Sequence, residues 1–179
     1  MIKIEDYKIF ADNISTLKET SKDKNNNESE EFMTPSKLEA INFDGVKDDY
    51  IKNLHLKENP RSNDALFITD KGHPIFIEFK NGYMDNKKEF DVRGKIYDSM
   101  SIFTDIVNKG ISFTREHLDY ILVYNEKKNS KSEIVTHIAK KAKTEHIKYG
   151  LERFKKFFFK EVHTYTEKEF EEYLTKFNM

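Results

Sequence analysis

Residues 63–80 read NDALFITDKGHPIFIEFK, two apolar runs joined by a short polar segment. Residues 65–69 and 75–80 are mostly apolar and are bounded by turn residues, which is typical of short β-strands. Between them, Asp70, Lys71 and Gly72 favour a tight turn. The stretch therefore predicts an antiparallel hairpin, and this hairpin decides how the surrounding chain is interpreted.

The alternation of the second strand divides its side chains between two faces. Because successive side chains of a strand point to opposite faces, Glu78 and Lys80 share one face. Ile77 and Phe79 then point the other way, into apolar packing. If the strands pair through the turn, Asp64 lies at the same end of the hairpin as Lys80. We therefore expect the carboxylates of Asp64 and Glu78 to converge beside a lysine.

An amphipathic helix and a buried strand follow the hairpin. Apolar side chains recur at three- and four-residue steps over residues 92–107, which predicts a helix with one apolar face. Residues 120–124, YILVY, are almost wholly apolar, as expected for a strand covered on both faces.

The last third of the chain predicts a helix, a strand and a terminal helix. Residues 133–149 have helical character, and residues 157–163 are a candidate strand. Thr166 and Glu169 have the spacing of a capping box and precede an apolar stripe, which predicts the start of the terminal helix.

The N-terminal part of the chain is less regular. Residues 2–17 have weak helical periodicity, and residues 20–31, TSKDKNNNESEE, are polar enough for a flexible linker. Residues 34–36, TPS, are typical of a helix start. We therefore divide the chain into an N-terminal arm or flexible leader, 1–31, and a folded domain, 32–179.

The order of these elements predicts an α/β fold, a small mixed β-sheet flanked by helices. A chain of 179 residues with 37% hydrophobic residues, among them 15 Phe and 9 Tyr, can form a real core. The sequence has no apolar run long enough to span a membrane and no secretory signal at its start. With no cysteine, disulfides and thiolate metal sites are excluded. A cytoplasmic protein is the expectation.

Two carboxylates held close together repel each other, and a divalent cation between them removes that repulsion. Mg²⁺ prefers carboxylate oxygens, with water completing its coordination. Such a cation polarises a phosphodiester and acidifies a bound water. A lysine beside it can orient that water or stabilise the negative charge that develops. The residue types of Asp64, Glu78 and Lys80 thus point to phosphodiester hydrolysis with Mg²⁺ or Mn²⁺.

The order of these features resembles the PD-(D/E)XK, or restriction-endonuclease-like, nuclease superfamily. Asp64 comes first, a hairpin follows, and Glu78-x-Lys80 lies on its apolar second strand. The resemblance covers about residues 34–125 and implies that Asp64 and Glu78 bind the metal and that Lys80 serves the attacking water. It also implies that the backbone carbonyl of Phe79 is a metal ligand. The proline that names the motif does not directly precede Asp64, since Pro60 lies four residues earlier.

Two further sites follow from the same resemblance. Many members carry a glutamate on the helix before the sheet, and Glu39 is the candidate here, with Glu31 and Asp44 as alternatives. Many also carry a Gln-x-x-x-Tyr pair on the helix after the motif, where this chain has Arg93 and Tyr97 one turn apart. Arginine in place of glutamine departs from the family pattern, and both residues are expected to contact nucleic acid.

The charge distribution suggests a second contact with nucleic acid. The net charge is −1, but residues 140–160 are strongly basic, which suits a phosphate backbone. A solvated helix face explains the same charges equally well. The candidate contacts in this segment are Lys140, Lys141, Lys143, Arg153, Lys155 and Lys156.

These observations predict a Mg²⁺- or Mn²⁺-dependent endonuclease. DNA is preferred over RNA because most of the superfamily that the chain resembles cuts DNA. The alternative is a catalytically silent nuclease-fold protein that acts as a binding or regulatory partner in an immunity or defence system. A homodimer, or a catalytic subunit of a larger defence or toxin system, remains open as an expectation.

Overall fold

Six strands form a single mixed sheet in spatial order β1-β2-β3-β4-β5-β6. A computed structural model describes residues 1–23, 31–132 and 147–177. The strands are β1 (Ile14–Thr16), β2 (Glu39–Asn42), β3 (Ala65–Ile68), β4 (Pro74–Lys80), β5 (Asp119–Tyr124) and β6 (Val162–Thr166). The first four pair antiparallel, and β4, β5 and β6 pair parallel. The chain is therefore α/β with a mixed sheet, as its sequence predicts.

Six α-helices are described around this sheet. They are α1 (Lys8–Ala11), α2 (Leu17–Thr20), α3 (Phe43–Ile51), α4 (Asn86–Ile106), α5 (Ile111–His117) and α6 (Glu167–Leu174). Short 3-10 helices span Ile4–Asp6, Lys127–Ser132, Leu151–Phe154 and Thr175–Phe177. Within the described ranges, none of the helices has both the length and the apolar character needed to cross a bilayer.

The two faces of the sheet carry separate apolar cores. On one face, α4 packs Val92, Ile96 and Phe103 against Leu66 and Phe76 of the central strands. The opposite face is covered by α6, whose Phe170 and Leu174 join a second cluster. Because each central strand contributes alternate side chains to the two clusters, β3 and β4 are held from both sides.

The hairpin is the best-predicted part of the fold. Ala65 lies opposite Ile77 and Ile68 opposite Pro74, so β3 and β4 form the antiparallel pair expected from their sequence. Ile75, Ile77 and Phe79 all belong to the α6-side cluster. Glu78 and Lys80 therefore share the α4 side, as the alternation predicts.

The N-terminal segment differs from the predicted arm. Its described part, residues 1–23, belongs to the sheet and core, because β1 pairs with β2 and both Phe10 and Leu17 are fully buried. The weak helical periodicity of residues 2–17 does not produce one continuous helix, because the chain leaves α1 and pairs as β1 with β2. Part of the predicted linker, residues 24–30, lies outside the described residues.

Several elements towards the two edges of the sheet also differ from expectation. The helix predicted after residue 34 is replaced by β2, since Ala40 and Ile41 are buried between two neighbouring strands. Helix α3 begins only at Phe43, where the Asn42 side chain accepts from Gly45 N–H. Most of the predicted 133–149 helix lies outside the described residues, and the last strand begins at Val162 rather than at 157.

Candidate active site

A hydrogen bond between a backbone group and a side chain joins the start of β3 to the end of β4. Asp64 directly precedes β3, and its Oδ2 accepts a 2.7 Å hydrogen bond from the backbone N–H of Phe79. The bond holds the Asp64 carboxylate against the strand that carries Glu78, in the place that the hairpin register predicts. The other oxygen of Asp64, Oδ1, takes no part in this hydrogen bond and contacts Lys95 instead.

Two lysines neutralise the carboxylates at this point. Lys80 Nζ lies 2.8 Å from Glu78 Oε1. Lys95 Nζ lies 2.7 Å from the same oxygen and 3.2 Å from Asp64 Oδ1, so it bridges the two acids. Since one ammonium contacts an oxygen of each carboxylate, Asp64 and Glu78 converge as expected.

The second oxygen of Glu78 is unusual. The Glu78 side chain is fully buried, and its Oε2 has no hydrogen-bond partner. A buried carboxylate oxygen without a partner costs free energy, and such exceptions often mark a ligand position. The atom is therefore a buried acceptor without a partner, on the same carboxylate whose Oε1 both lysines contact.

The close charges perturb the protonation equilibria of the site. Burial and the Glu78 carboxylate raise the pKa of Asp64 to about 7, even though the Lys95 ammonium opposes the shift. Burial by itself would lower the pKa of Lys95, but the carboxylates of Glu78 and Asp64 raise it overall. The pKa of Lys80 is raised in the same way, chiefly by Glu78. Both ammonium groups consequently stay charged at neutral pH, whereas Asp64 does not ionise fully.

Helix α4 brings Lys95 and a third carboxylate to the site. Asp91 and Lys95 are one helical turn apart and so lie on one face of α4. Asp91 Oδ2 lies 3.3 Å from Lys80 Nζ, and Arg61 Nε lies 3.5 Å from Asp91 Oδ1. The Lys80 ammonium is thus held by both Glu78 and Asp91.

A cavity of about 540 Å³ opens onto Asp64, Lys80, Asp91 and Lys95, whereas the buried Glu78 is not part of its lining. Five lysines and four aspartates line it, so its charges are closely balanced. They are Lys22, Lys80, Lys88, Lys95 and Lys128 with Asp23, Asp44, Asp64 and Asp91. The cavity is large enough for a phosphodiester with adjoining atoms and gives it direct access to Asp64 and Lys80.

The residues present fit a hard divalent cation held by few protein ligands. Among the described residues there is no group of three or more His, Cys, Asp or Glu side chains arranged for a metal. The carboxylates of Asp64 and Glu78 supply oxygen donors that one cation can contact together, as the Lys95 ammonium does at Oδ1 and Oε1, and Phe79 also lines the cavity. Mg²⁺ commonly uses one or two carboxylates and completes its octahedron with water and substrate oxygens. The donor set therefore matches Mg²⁺ or Mn²⁺ better than a metal that needs an all-protein cage.

The three candidates for an additional glutamate or aspartate lie in different places. Glu39 is not on a helix but on β2, where it is exposed, and it lines a separate cavity near the N-terminus. Glu31 accepts a hydrogen bond from Asn81, a residue of the cavity wall. Asp44 lines the cavity itself, at the start of α3, and accepts a 2.6 Å hydrogen bond from Ser62. Of the three, only Asp44 shares the cavity with Asp64.

Arg93 and Tyr97 lie on the other flank of α4. Arg93 and Lys95 are two positions apart, a rotation of about 200° on a helix, so their side chains diverge. The Arg93 guanidinium donates to Glu89 and to the carbonyl of Tyr149. The Tyr97 ring packs against Phe154 and Phe158. The structure therefore does not bring the predicted pair into the cavity.

The basic segment is described only in part. Lys140, Lys141 and Lys143 lie outside the described residues. Arg153 and Lys156 are exposed, whereas Lys155 Nζ lies 2.6 Å from Glu161 Oε2. The exposed charges are next to Phe157, whose side chain is 51% exposed. This surface is separate from the cavity lining.

Lys95 and Asp91 are the site residues that the sequence pattern did not single out. Their positions follow from the packing of α4 on the sheet, and a lysine between two apolar helix positions is ordinarily read as a solvated side chain. The available signal is their four-residue spacing on the flank of the apolar stripe.

No protein-family model, curated protein or solved structure matches the chain. The geometry of the site is therefore the basis on which a function can be argued.

Proposed function

We propose that the chain is a Mg²⁺- or Mn²⁺-dependent endonuclease that hydrolyses phosphodiester bonds, with DNA preferred over RNA. The single observation that carries this proposal is the convergence of Asp64, Glu78 and Lys80 at one end of a hairpin, with Glu78 Oε2 buried and without a partner. The PD-(D/E)XK resemblance is consistent with an antiparallel β2-β3-β4 meander followed by α4 and a parallel β5.

Each residue has a distinct role in this proposal. Asp64, Glu78 and the backbone carbonyl of Phe79 would hold the metal, which when bound supplies positive charge that polarises the phosphodiester and acidifies a water. Lys80 orients the attacking water and stabilises the charge on the phosphorus centre. Asp91 acts on Lys80 as a positioning residue through its 3.3 Å contact with the ammonium.

The surroundings of the site suit a polyanionic substrate. Lys22, Lys88 and Lys128 line the cavity around the carboxylates and can contact phosphate oxygens. The exposed Arg153 and Lys156 provide a second region of positive charge for the backbone. The preference for DNA depends on the family resemblance alone.

A nuclease-fold binding protein is the second candidate. The observation that favours it is that Lys80 and Lys95 already neutralise Asp64 and Glu78 through direct ion pairs. Such an arrangement is electrostatically complete without a metal. A protein of this kind would bind its partner without cleaving nucleic acid.

Incubation with supercoiled plasmid and, separately, structured RNA distinguishes these candidates. We expect cutting in Mg²⁺ or Mn²⁺, no cutting in EDTA, and loss of cutting in Asp64→Asn. Comparison of the two substrates tests the preference for DNA. If a folded protein cuts neither substrate with either metal, the binding-protein candidate is favoured.

A further inference from the structure

We propose that Lys95 is an internal counter-ion that occupies the cation position between Asp64 and Glu78, and that a divalent metal must displace it. This inference depends on the proposed metal site and assigns a regulatory role to a residue of α4. Its consequence is that the site is stabilised when it is empty of metal but binds metal less tightly than its carboxylates alone would allow.

The geometry distinguishes Lys95 from Lys80. Lys95 Nζ contacts one oxygen of each carboxylate, at 3.2 Å from Asp64 Oδ1 and 2.7 Å from Glu78 Oε1. Lys80 Nζ contacts Glu78 and is also held by Asp91 at 3.3 Å. Of these two ammonium groups, that of Lys95 therefore lies in the bridging position that a cation shared by the two acids would take.

Electrostatic repulsion requires the ammonium between the carboxylates to leave. Lys95 Nζ already contacts an oxygen of each acid, so a divalent cation that entered beside it would place two like charges side by side in a partly buried site. Lys80 is held on two sides, by Glu78 and by Asp91, which favours its retention. Lys95 is held by the same two carboxylates that the metal would take, so metal binding removes its partners.

The released ammonium has a place to move to. Lys95 lines the cavity, and its side chain is 18% exposed. A flexible four-carbon chain lets the ammonium turn towards the cavity without any movement of α4. Metal binding would thereby expose a positive charge to an anionic substrate next to the reacting centre.

Mn²⁺ binding to the full chain, measured by isothermal titration calorimetry, tests the exchange. Lys95→Gln keeps hydrogen-bond donors but removes the competing charge, and we expect it to tighten Mn²⁺ binding by at least about tenfold. Lys88→Gln is the matched control, because Lys88 lines the same cavity but has no ion pair with Asp64 or Glu78 among the described contacts. Its effect should stay within about twofold, since a more distant charge is screened. Lys95→Arg, which retains the charge, should bind Mn²⁺ as the wild-type protein does.

Thermal unfolding provides a second readout that does not depend on activity. Without metal, Lys95→Gln should unfold at a lower temperature than the wild-type protein, and saturating Mn²⁺ should stabilise it by a larger increment. If it folds only in the presence of Mn²⁺, the same exchange is supported, because metal then replaces the missing ammonium.

The outcomes separate this inference from the proposed function. If the wild-type protein binds Mn²⁺ and Glu78→Gln does not, but Lys95→Gln binds no more tightly than Lys88→Gln, the role of Lys95 is overturned and the metal site stands. If neither the wild-type protein nor Lys95→Gln binds Mn²⁺ at millimolar concentration, both proposals are overturned.

Discussion

Phe79 donates its backbone N–H to Oδ2 of Asp64 at 2.7 Å, although the two residues are 15 positions apart. This hydrogen bond fixes one carboxylate oxygen and leaves the other facing Lys95 and Glu78. Asp64 is thus held by the backbone of the strand that carries its two chemical partners, Glu78 and Lys80. Because the anchor is a main-chain group, the position of Asp64 depends on the hairpin rather than on a replaceable side chain.

Asp64→Asn should change the pH dependence of stability. Folding raises the pKa of Asp64 from 3.8 to about 7, so the folded protein binds this proton more tightly than the unfolded chain does. The stability contributed by Asp64 is fully present below its unfolded pKa and is lost as the pH rises through about 7. Relative to Asp64→Asn, whose amide oxygen can still accept from Phe79, the metal-free wild-type protein should lose up to about 1.4 kcal/mol per pH unit across this window.

Urea unfolding of both proteins in EDTA, at a series of pH values, measures this difference. A wild-type curve parallel to that of Asp64→Asn between about pH 4 and pH 7 would contradict the raised pKa.

Thr166→Ala should destabilise the fold without affecting the site. The Thr166 side chain accepts from Glu169 N–H at 3.2 Å, and the Glu169 carboxylate accepts from Thr166 N–H at 3.0 Å. Loss of this N-cap should lower the free energy of unfolding by about 1 kcal/mol. Metal affinity should not change, because α6 covers the face of the sheet opposite Glu78.

Chemical denaturation together with metal titration checks the separation of these effects. Thr175→Ala, an exposed threonine at the other end of α6, is the control and should cost less than about 0.5 kcal/mol. Equal losses in the two variants would argue against a specific role of the capping box.

Arg153→Gln combined with Lys156→Gln should weaken binding to duplex DNA in a salt-dependent way. Both side chains are exposed, so each can neutralise a phosphate and release counterions. We expect the slope of log affinity against log salt to become shallower by about 0.9 for each contact that is lost. Lys155→Gln should have a smaller effect, because Lys155 is already paired with Glu161 at 2.6 Å.

Fluorescence anisotropy of a labelled duplex in EDTA measures these slopes without cleavage. An unchanged slope in the double variant would remove residues 153 and 156 from the nucleic-acid surface.

Local patterns predict the hairpin and the faces of its side chains well, because strand alternation alone sets the faces of Glu78 and Lys80. The capping box of Thr166 and Glu169 is predicted for the same reason, since its spacing is local. Strand β2 is missed because four residues carry too little periodicity, and its pairing with β1 and β3 overrides the helix-start signal before it. Lys95 is missed because its contacts depend on how α4 docks on the sheet.

Glu39 and Arg93 lie outside the cavity lining for a related reason. Assigning Glu39 to the site required a helix where the sheet has an edge-proximal strand. Assigning Arg93 required knowledge of which flank of α4 faces the cavity, and the apolar stripe leaves both flanks equally available. Tertiary packing selects the flank that carries Asp91 and Lys95.

The cleavage rate of supercoiled plasmid by Glu78→Gln, under single-turnover conditions in Mg²⁺, tests the central claim most directly. The substitution preserves the shape of a fully buried side chain but removes the charge that would hold the metal. We predict that the rate falls by more than about a hundredfold from the wild-type value, whereas Glu116→Gln, which changes an exposed glutamate of α5, cleaves at the wild-type rate. Cleavage by folded Glu78→Gln at the wild-type rate would contradict the account.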